Sequence, residues 1–301
     1  MTSLHPWLLA ARPRTLLLAV ASIGMGILLA VSTNQADVTV SALCLLTAVL
    51  LQILSNFAND YGDSLHGADN AERVGPERAV QGGLVSLAAM RRAVIVTASL
   101  VVISGSALIA AALGPAELLL SLAFVALGGA AVWAAIAYTA TANPYGYAGL
   151  GDVMVFLFFG WAAVLGTYYL QAGQLTWSLL LPATASGLLA TAVLNVNNIR
   201  DLKSDKKVGK NSLPVRLGPR RARVYHALIL LGSALAAFAY VFLTYRSAWQ
   251  FLFVLALPLL ALNGVRVWRG RDPAALDPLL KQMSIAALVF TLLFGVGQIL
   301  A

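Results

Sequence analysis

Two short stretches of this chain carry oxygen ligands at helical spacing, and each follows a long apolar run. The first is Ser55–Gly83, SNFANDYGDSLHGADNAERVGPERAVQGG, which holds Asp60, Asp63, Asp69, Glu72 and Glu77 of the chain's 12 acidic residues. If the apolar helix ahead of it runs on, Asn59 and Asp63 stand at i, i+4 and share one face. Asn56, Asp60 and Asp63 make a second, overlapping set. The other stretch is NNIRDLKSD at 197–205, in which Asp201 and Asp205 are again four apart. Carboxylates this close repel unless a positive charge neutralises them. Oxygen-only ligands select a hard cation, Mg²⁺ first, which takes few carboxylates and completes its shell with water or substrate phosphate oxygens. Two such clusters facing one cavity would suit metal ions clamping a diphosphate.

Cations accompany both stretches. Arg73 and Arg78 come after Asn59 and Asp63 in the first, while Lys206, Lys207, Lys210 and Arg216 come after Asp201 and Asp205 in the second. Arginine grips phosphate oxygens with a two-pronged fork and lysine offers a compact charge. The expected substrate contacts are therefore Arg78, Lys206, Lys210 and Arg216, with Asn198 beside the second acidic pair. Lys203, Arg220, Arg221 and Arg223 serve equally well as charges that set membrane topology. Near the start, HPWLLAARPRT reads as a short interfacial helix, with Arg12 and Arg14 suited to anionic lipid or to a phosphate. A third polar island, YTATANPYGYAGLGD from Tyr138 to Asp152, has no basic residue. Tyr138, Tyr145, Tyr147 and Asp152 could line a pocket for a hydroxylated aromatic molecule, or Tyr145 and Tyr147 could belong to the aromatic belt at the membrane surface. His66 reads as ordinary loop surface, and His5 and His226 as structural.

The elements that must position these groups are membrane helices. The 301 residues are 60% hydrophobic and 11% charged, against about 25% charged in soluble domains. Apolar runs long enough to cross about 30 Å of hydrocarbon recur throughout. Nine spans are expected, at roughly 15–32, 38–58, 93–113, 117–140, 150–172, 176–199, 224–244, 248–268 and 281–300. Of the 20 Lys and Arg, all but Arg246 then fall on one side. That segregation fits a cytoplasmic N-terminus, an external C-terminus and cytoplasmic active-site loops at 59–92 and 200–223. It also assigns the net charge of +8 to those loops, so no nucleic-acid partner is expected. The short N-terminus leads straight into a span, so no separate signal peptide is expected. The single cysteine, Cys44, lies mid-span and offers no disulfide framework. The expected architecture is an all-α, polytopic bundle forming one domain over 1–301.

RPRTL at 12–16, NFANDYGDSLHGAD at 56–69, PYGYAGLGD at 144–152 and NNIRDLKSDKKVGKNSLPVRLG at 197–218 together resemble the UbiA superfamily of intramembrane aromatic prenyltransferases. Within it they are most similar to the branch acting on 1,4-dihydroxy-2-naphthoate. The resemblance covers nearly the whole chain, including the nine-span count. It implies that Asn59, Asp63, Asp69, Asp201 and Asp205 hold Mg²⁺ on a polyprenyl (or phytyl) diphosphate. It also implies alkylation of 1,4-dihydroxy-2-naphthoate with release of CO₂ and diphosphate, in menaquinone or phylloquinone synthesis. Asp63 and Asp201 are then catalytic through the metal, with Asp60 or Tyr138 assisting the hydroxyl proton. In the hydroxybenzoate branch the third acid of the first motif falls where Gly67 stands here; the acid instead arrives at Asp69, as in the naphthoate branch. One departure is that the Tyr138–Tyr147 loop lacks the basic residue often found in the family, leaving that contact to Arg78 or Lys210. The expected location is the plasma (inner) membrane, with the prenyl tail kept in the lipid bilayer.

Two alternatives stand beside this reading. One is a prenyltransferase for another aromatic acceptor, such as 4-hydroxybenzoate or homogentisate. The other is a secondary transporter of an anionic solute. Transporters place their sites near the midplane on broken helices, whereas the acids here sit at helix ends on one face.

Overall fold

A computed structural model describes residues 4–67, 75 and 78–301. Among them, nine helices are long and apolar enough to cross a membrane, matching the expected number. A short helix α1 (His5–Ala11) leads into α2 (Pro13–Ser32), α3 (Val38–Leu65), α4 (Leu87–Ala112) and α5 (Leu118–Ala137). The chain continues as α6 (Gly151–Ala172), α7 (Trp177–Arg200), a short α8 (Leu202–Lys207), α9 (Leu213–Leu243), α10 (Ala248–Arg269) and α11 (Pro273–Ile299). The described residues contain no strand.

Local chemistry sets the helix starts. Pro13 and Pro273 occupy first turns, where no backbone N–H is needed. The Asp37 carboxylate accepts the Val40 N–H at 2.8 Å, and the Asp272 carboxylate accepts the Ala274 N–H at 3.1 Å, capping α3 and α11. Helix α1 is the expected interfacial piece. Its Trp7 meets Phe57 edge-on at 5.8 Å, and Asn56 Nδ2 donates to the Ala11 carbonyl at 2.8 Å, so α3 holds the α1–α2 corner.

Burial ranks the helices. Helix α7 is enclosed over most of its length, whereas α5 is almost wholly exposed at its flanks. Around α7 pack α6, α9 and α11, with α2 against α11. Their shared core includes Met25, Leu29, Val164, Leu189, Val196, Phe253, Phe290 and Phe294.

Several expected boundaries change. Helix α3 runs to Leu65 rather than 58, and α4 starts at Leu87, taking Arg91 and Arg92 onto a helix. Most of the expected 200–223 loop is helical: α8 fills 202–207, and α9 begins at Leu213. Gly218, at φ +76°, kinks α9 just before Pro219 and sets its first turn apart from the longer part that follows. Arg223 lies beyond that break and donates to the Val267 and Gly270 carbonyls at 3.1 and 2.6 Å, tying α9 to the end of α10.

Candidate active site

The first motif rides on an unbroken helix. Because α3 continues to Leu65, Asn59 and Asp63 share the expected face. Asn59 Oδ1 accepts from the Thr139 hydroxyl at 3.0 Å. A Cβ on Gly62 would lie 2.5 Å from the Thr139 carbonyl, so glycine there lets the acidic end of α3 meet the segment after α5. One turn beyond Asn59, the buried Asp63 receives Arg78 Nη2 on Oδ2 at 2.7 Å and the Tyr147 hydroxyl on Oδ1 at 3.2 Å.

The members of the overlapping set have separate partners. Asn56 is committed to the Ala11 carbonyl and to Thr15 Oγ1, at 2.8 and 3.0 Å. Asp60 accepts the backbone N–H groups of Ala79 and Val80 at 3.1 and 3.4 Å. Its carboxylate thus anchors the turn that delivers Arg78.

The second motif is built on a helix end. Helix α7 stops at Arg200, Asp201 turns the chain (φ −89°, ψ 5°), and α8 carries Asp205. Lys210 Nζ lies 3.6 Å from Asp205 Oδ1, and the Ser212 hydroxyl lies 3.5 Å from Oδ2. The same ammonium sits 5.6 Å above the Tyr147 ring, and the Asn211 N–H donates to the Tyr147 carbonyl at 3.0 Å. Asp63, Tyr147, Lys210 and Asp205 therefore form one continuous row linking the two motifs.

Charge follows from that row. Burial disfavours the Lys210 ammonium, but the Asp63 and Asp205 carboxylates outweigh it and move its pKa upward, so it stays charged. Burial, opposed by Lys210 and reinforced by Asp205, Asp152 and Asp63, pushes the Tyr138 hydroxyl up to about 12. Tyr138 is thus a neutral hydroxyl at physiological pH and a poor proton acceptor. Burial, with Asp63 next, also raises Tyr147, which keeps the proton it donates to Asp63.

Other expected contacts take different places. Asp201 is gripped by Arg200, whose Nε and Nη2 lie 2.8 and 2.7 Å from its two oxygens. Arg200 Nη1 reaches Asp277 Oδ1 at 2.6 Å, and Arg14 Nη1 reaches Asp277 Oδ2 at 3.1 Å, so Arg14 ends on a carboxylate. Arg216 donates to the carbonyls of Ala148 and Asn211 at 2.5 and 3.1 Å, latching the Tyr138–Asp152 island to α9. Tyr145 turns back to α5: its hydroxyl donates to the Ala134 carbonyl at 2.8 Å and its ring stacks on Trp133. Lys206 lies exposed on α8. Asn198 is buried, and its Oδ1 accepts no hydrogen bond. Asp69 lies outside the described residues.

The donors fit a hard cation. Asp63, Asp205 and Asn59 offer oxygen only, and Asn198 adds an unpartnered buried oxygen beside the second motif. Among the described residues, no three His, Cys, Asp or Glu side chains gather into a shell of their own. Sequence reasoning missed Arg200 and Asp277 altogether and gave Tyr147 only a place in a pocket wall. The adjacency of Arg200 and Asp201 was the available signal; nothing in the sequence pointed to Asp277.

Comparison with known proteins places this arrangement. The chain is 48% identical to the 1,4-dihydroxy-2-naphthoate octaprenyltransferase of Escherichia coli (strain K12), over 98% of this chain and 95% of that one. It is 28% identical to the 2-carboxy-1,4-naphthoquinone phytyltransferase of Synechocystis sp., over 83% of this chain and 78% of that one. A solved UbiA homolog from Archaeoglobus fulgidus, bound to GPP and Mg²⁺, shares the fold with a TM-score of 0.66 at 18% identity, covering 98% of this chain and 100% of that one. Residues 17–292 match the UbiA prenyltransferase family. With nine apolar helices among the described residues and two acidic motifs brought together at their ends, this chain is a multi-pass membrane protein that belongs to that family.

Proposed function

We propose that this chain transfers a polyprenyl group from its diphosphate to 1,4-dihydroxy-2-naphthoate, releasing diphosphate and CO₂, as a step of menaquinone synthesis. The observation that carries this reading is the end-to-end 48% identity with an enzyme named for that acceptor. The Synechocystis relative, named for a phytyl group, is more distant at 28%, which favours the polyprenyl donor.

The residues divide the work. Asp63, Asp205 and Asn59, with Asn198, Asp201 and Asp69, would hold Mg²⁺. When bound, the cation offsets the charge that grows on the diphosphate as the allylic C–O bond breaks. Lys210 and Arg78 already face the acids and present fixed positive charge to phosphate oxygens. The Tyr147 ring receives the Lys210 ammonium, so this wall tolerates positive charge of the kind an allylic carbon develops. The acceptor carbon that bears the carboxylate forms the new C–C bond. Its carboxylate then leaves as CO₂, and the electron pair of that bond restores the aromatic ring. No proton leaves the attacked carbon, which agrees with a Tyr138 that stays protonated.

The proposed location is the plasma membrane, with the acids on the cytoplasmic side, because the cationic residues segregate to that side. One experiment tests both parts. Inside-out membrane vesicles containing the protein receive Mg²⁺, octaprenyl diphosphate and an equal mixture of 1,4-dihydroxy-2-naphthoate and 4-hydroxybenzoate. The expected product is a prenylated naphthalene whose mass lacks the carboxylate, formed in these vesicles and not in right-side-out ones. A product that keeps the carboxylate, or a preference for the benzoate, overturns the acceptor assignment; turnover only in right-side-out vesicles overturns the orientation.

A further inference from the structure

Asp277 belongs to neither acidic motif, yet it closes a chain of ion pairs that ends on one of them. It lies in the second turn of α11, next to Pro278. Its Oδ1 is 2.6 Å from Arg200 Nη1, and its two oxygens are 3.3 and 3.1 Å from Arg14 Nη1. Arg200 is almost fully buried, and the rest of its fork is spent on Asp201 at 2.8 and 2.7 Å and on Asn197 Oδ1 at 2.9 Å. Residues adjacent in sequence do not face each other along a helix; this pair meets because Asp201 is where α7 ends.

Stability explains part of Asp277, because losing it would take one carboxylate from the buried Arg200. Its pair with Arg14 is partly exposed on both sides, at 24% and 29%, and such pairs contribute little. Charge balance gives a further reason. Arg14, Arg200, Asp201 and Asp277 sum to zero. Without Asp277 these four groups carry a net positive charge beside Asp201. A divalent cation binds less well at a carboxylate that stands next to excess positive charge.

We infer that Asp277 is a positioning residue: by offsetting the charge of Arg200 and Arg14, it keeps the surroundings of Asp201 balanced enough for that carboxylate to bind a divalent cation. This rests on the reading that the acidic motifs hold Mg²⁺. The test uses the purified full-length chain and Mn²⁺ alone, with bound metal read from the loss of the free-ion electron paramagnetic resonance signal. Asp277→Asn should weaken Mn²⁺ binding about tenfold, the scale of outer-shell ligand effects, whereas Asp277→Glu should stay close to the parent chain. The double variant Asp277→Asn with Arg14→Gln restores neutrality and should recover most of the affinity, a rescue that a purely structural role does not provide. If Asp277→Asn alone fails to fold, the double variant compared with Arg14→Gln alone carries the same test: adding Asp277→Asn should restore the balance and leave Mn²⁺ binding near the parent level. Mn²⁺ binding by Asp277→Asn equal to the parent, or a double variant no better than the single one, overturns the inference while leaving the metal reading intact. A parent chain that binds no Mn²⁺ overturns both.

Discussion

The two acidic motifs have the same four-residue spacing but obtain their positive partners in opposite ways. Asp63 sits on a continuous helix and draws Arg78 from a turn 15 residues further on. That turn is itself held by Asp60 through two backbone N–H groups. Asp201 and Asp205 sit where a helix breaks, and their cations are local: Arg200 beside one, Lys210 close after the other. The first motif therefore depends on a loop being in place, while the second carries its neutralising charge with it and is braced against α11. Equal spacing in sequence predicts a shared face; it does not predict which charge will answer it.

The largest effect should come from removing the acids that face each other across Tyr147 and Lys210. Asp63→Ala and Asp205→Ala should each lower kcat by about a hundredfold or more, the order expected for one preorganised electrostatic element. Prenyl transfer is measured at saturating Mg²⁺ and octaprenyl diphosphate. If both motifs serve one site, the double variant should be little worse than either single one, since residues acting as a unit are not additive. Losses that multiply would mean two independent sites.

Much of this arrangement was legible in the sequence, and the rest was hidden for definite reasons. The nine spans follow from apolar length, which the bilayer enforces. Continuation of α3 through Asn59 and Asp63 entered only as the condition for their shared face, because the apolar pattern ends near 58 and the helix runs on to Leu65. The polar first turns of α9 around Arg216 and of α11 around Asp277 were read as loop, because hydropathy detects only the lipid-facing part of a helix. Asp60 looked like a ligand because its spacing from Asn56 and Asp63 is helical. Its actual partners are backbone groups at 79 and 80, which no side-chain pattern reveals. The contact between Arg200 and Asp277 spans 77 residues and joins two helices, so only the packed bundle could bring it out.

A middle-sized effect should separate Asp60 from the ligands proper. Asp60→Asn keeps the shape but sets an amide donor against one of two backbone N–H donors. Leaving such a buried group unpaired costs about 1–3 kcal/mol. The expected result is a lower melting temperature and about tenfold slower turnover, short of the hundredfold that a misplaced catalytic group can reach. Arg78→Gln in the Asp60→Asn background should then add little, because the turn has already lost its register. An Asp60→Asn enzyme that melts normally yet loses activity as completely as Asp63→Ala would return Asp60 to the chemistry.

The smallest effect should fall on Lys206, and it sharpens the contrast between the motifs. Lys206 and Lys210 are both near Asp205 in sequence, and both were expected to contact substrate. Lys206, however, is exposed on α8, while Lys210 is buried between Asp205 and the Tyr147 ring. A solvated ammonium acts through a screened field that decays over about 8 Å at physiological salt. A buried one acts on carboxylates that have no competing water. Lys206→Ala should therefore change kcat/KM by less than about twofold, and the change should shrink further as salt is raised, as a screened effect must. The same substitution at Lys210 should cost far more and stay insensitive to salt. Turnover of both variants across a salt series makes the comparison, and a salt-independent tenfold loss for Lys206→Ala would show that α8 turns its exposed side toward the substrate after all.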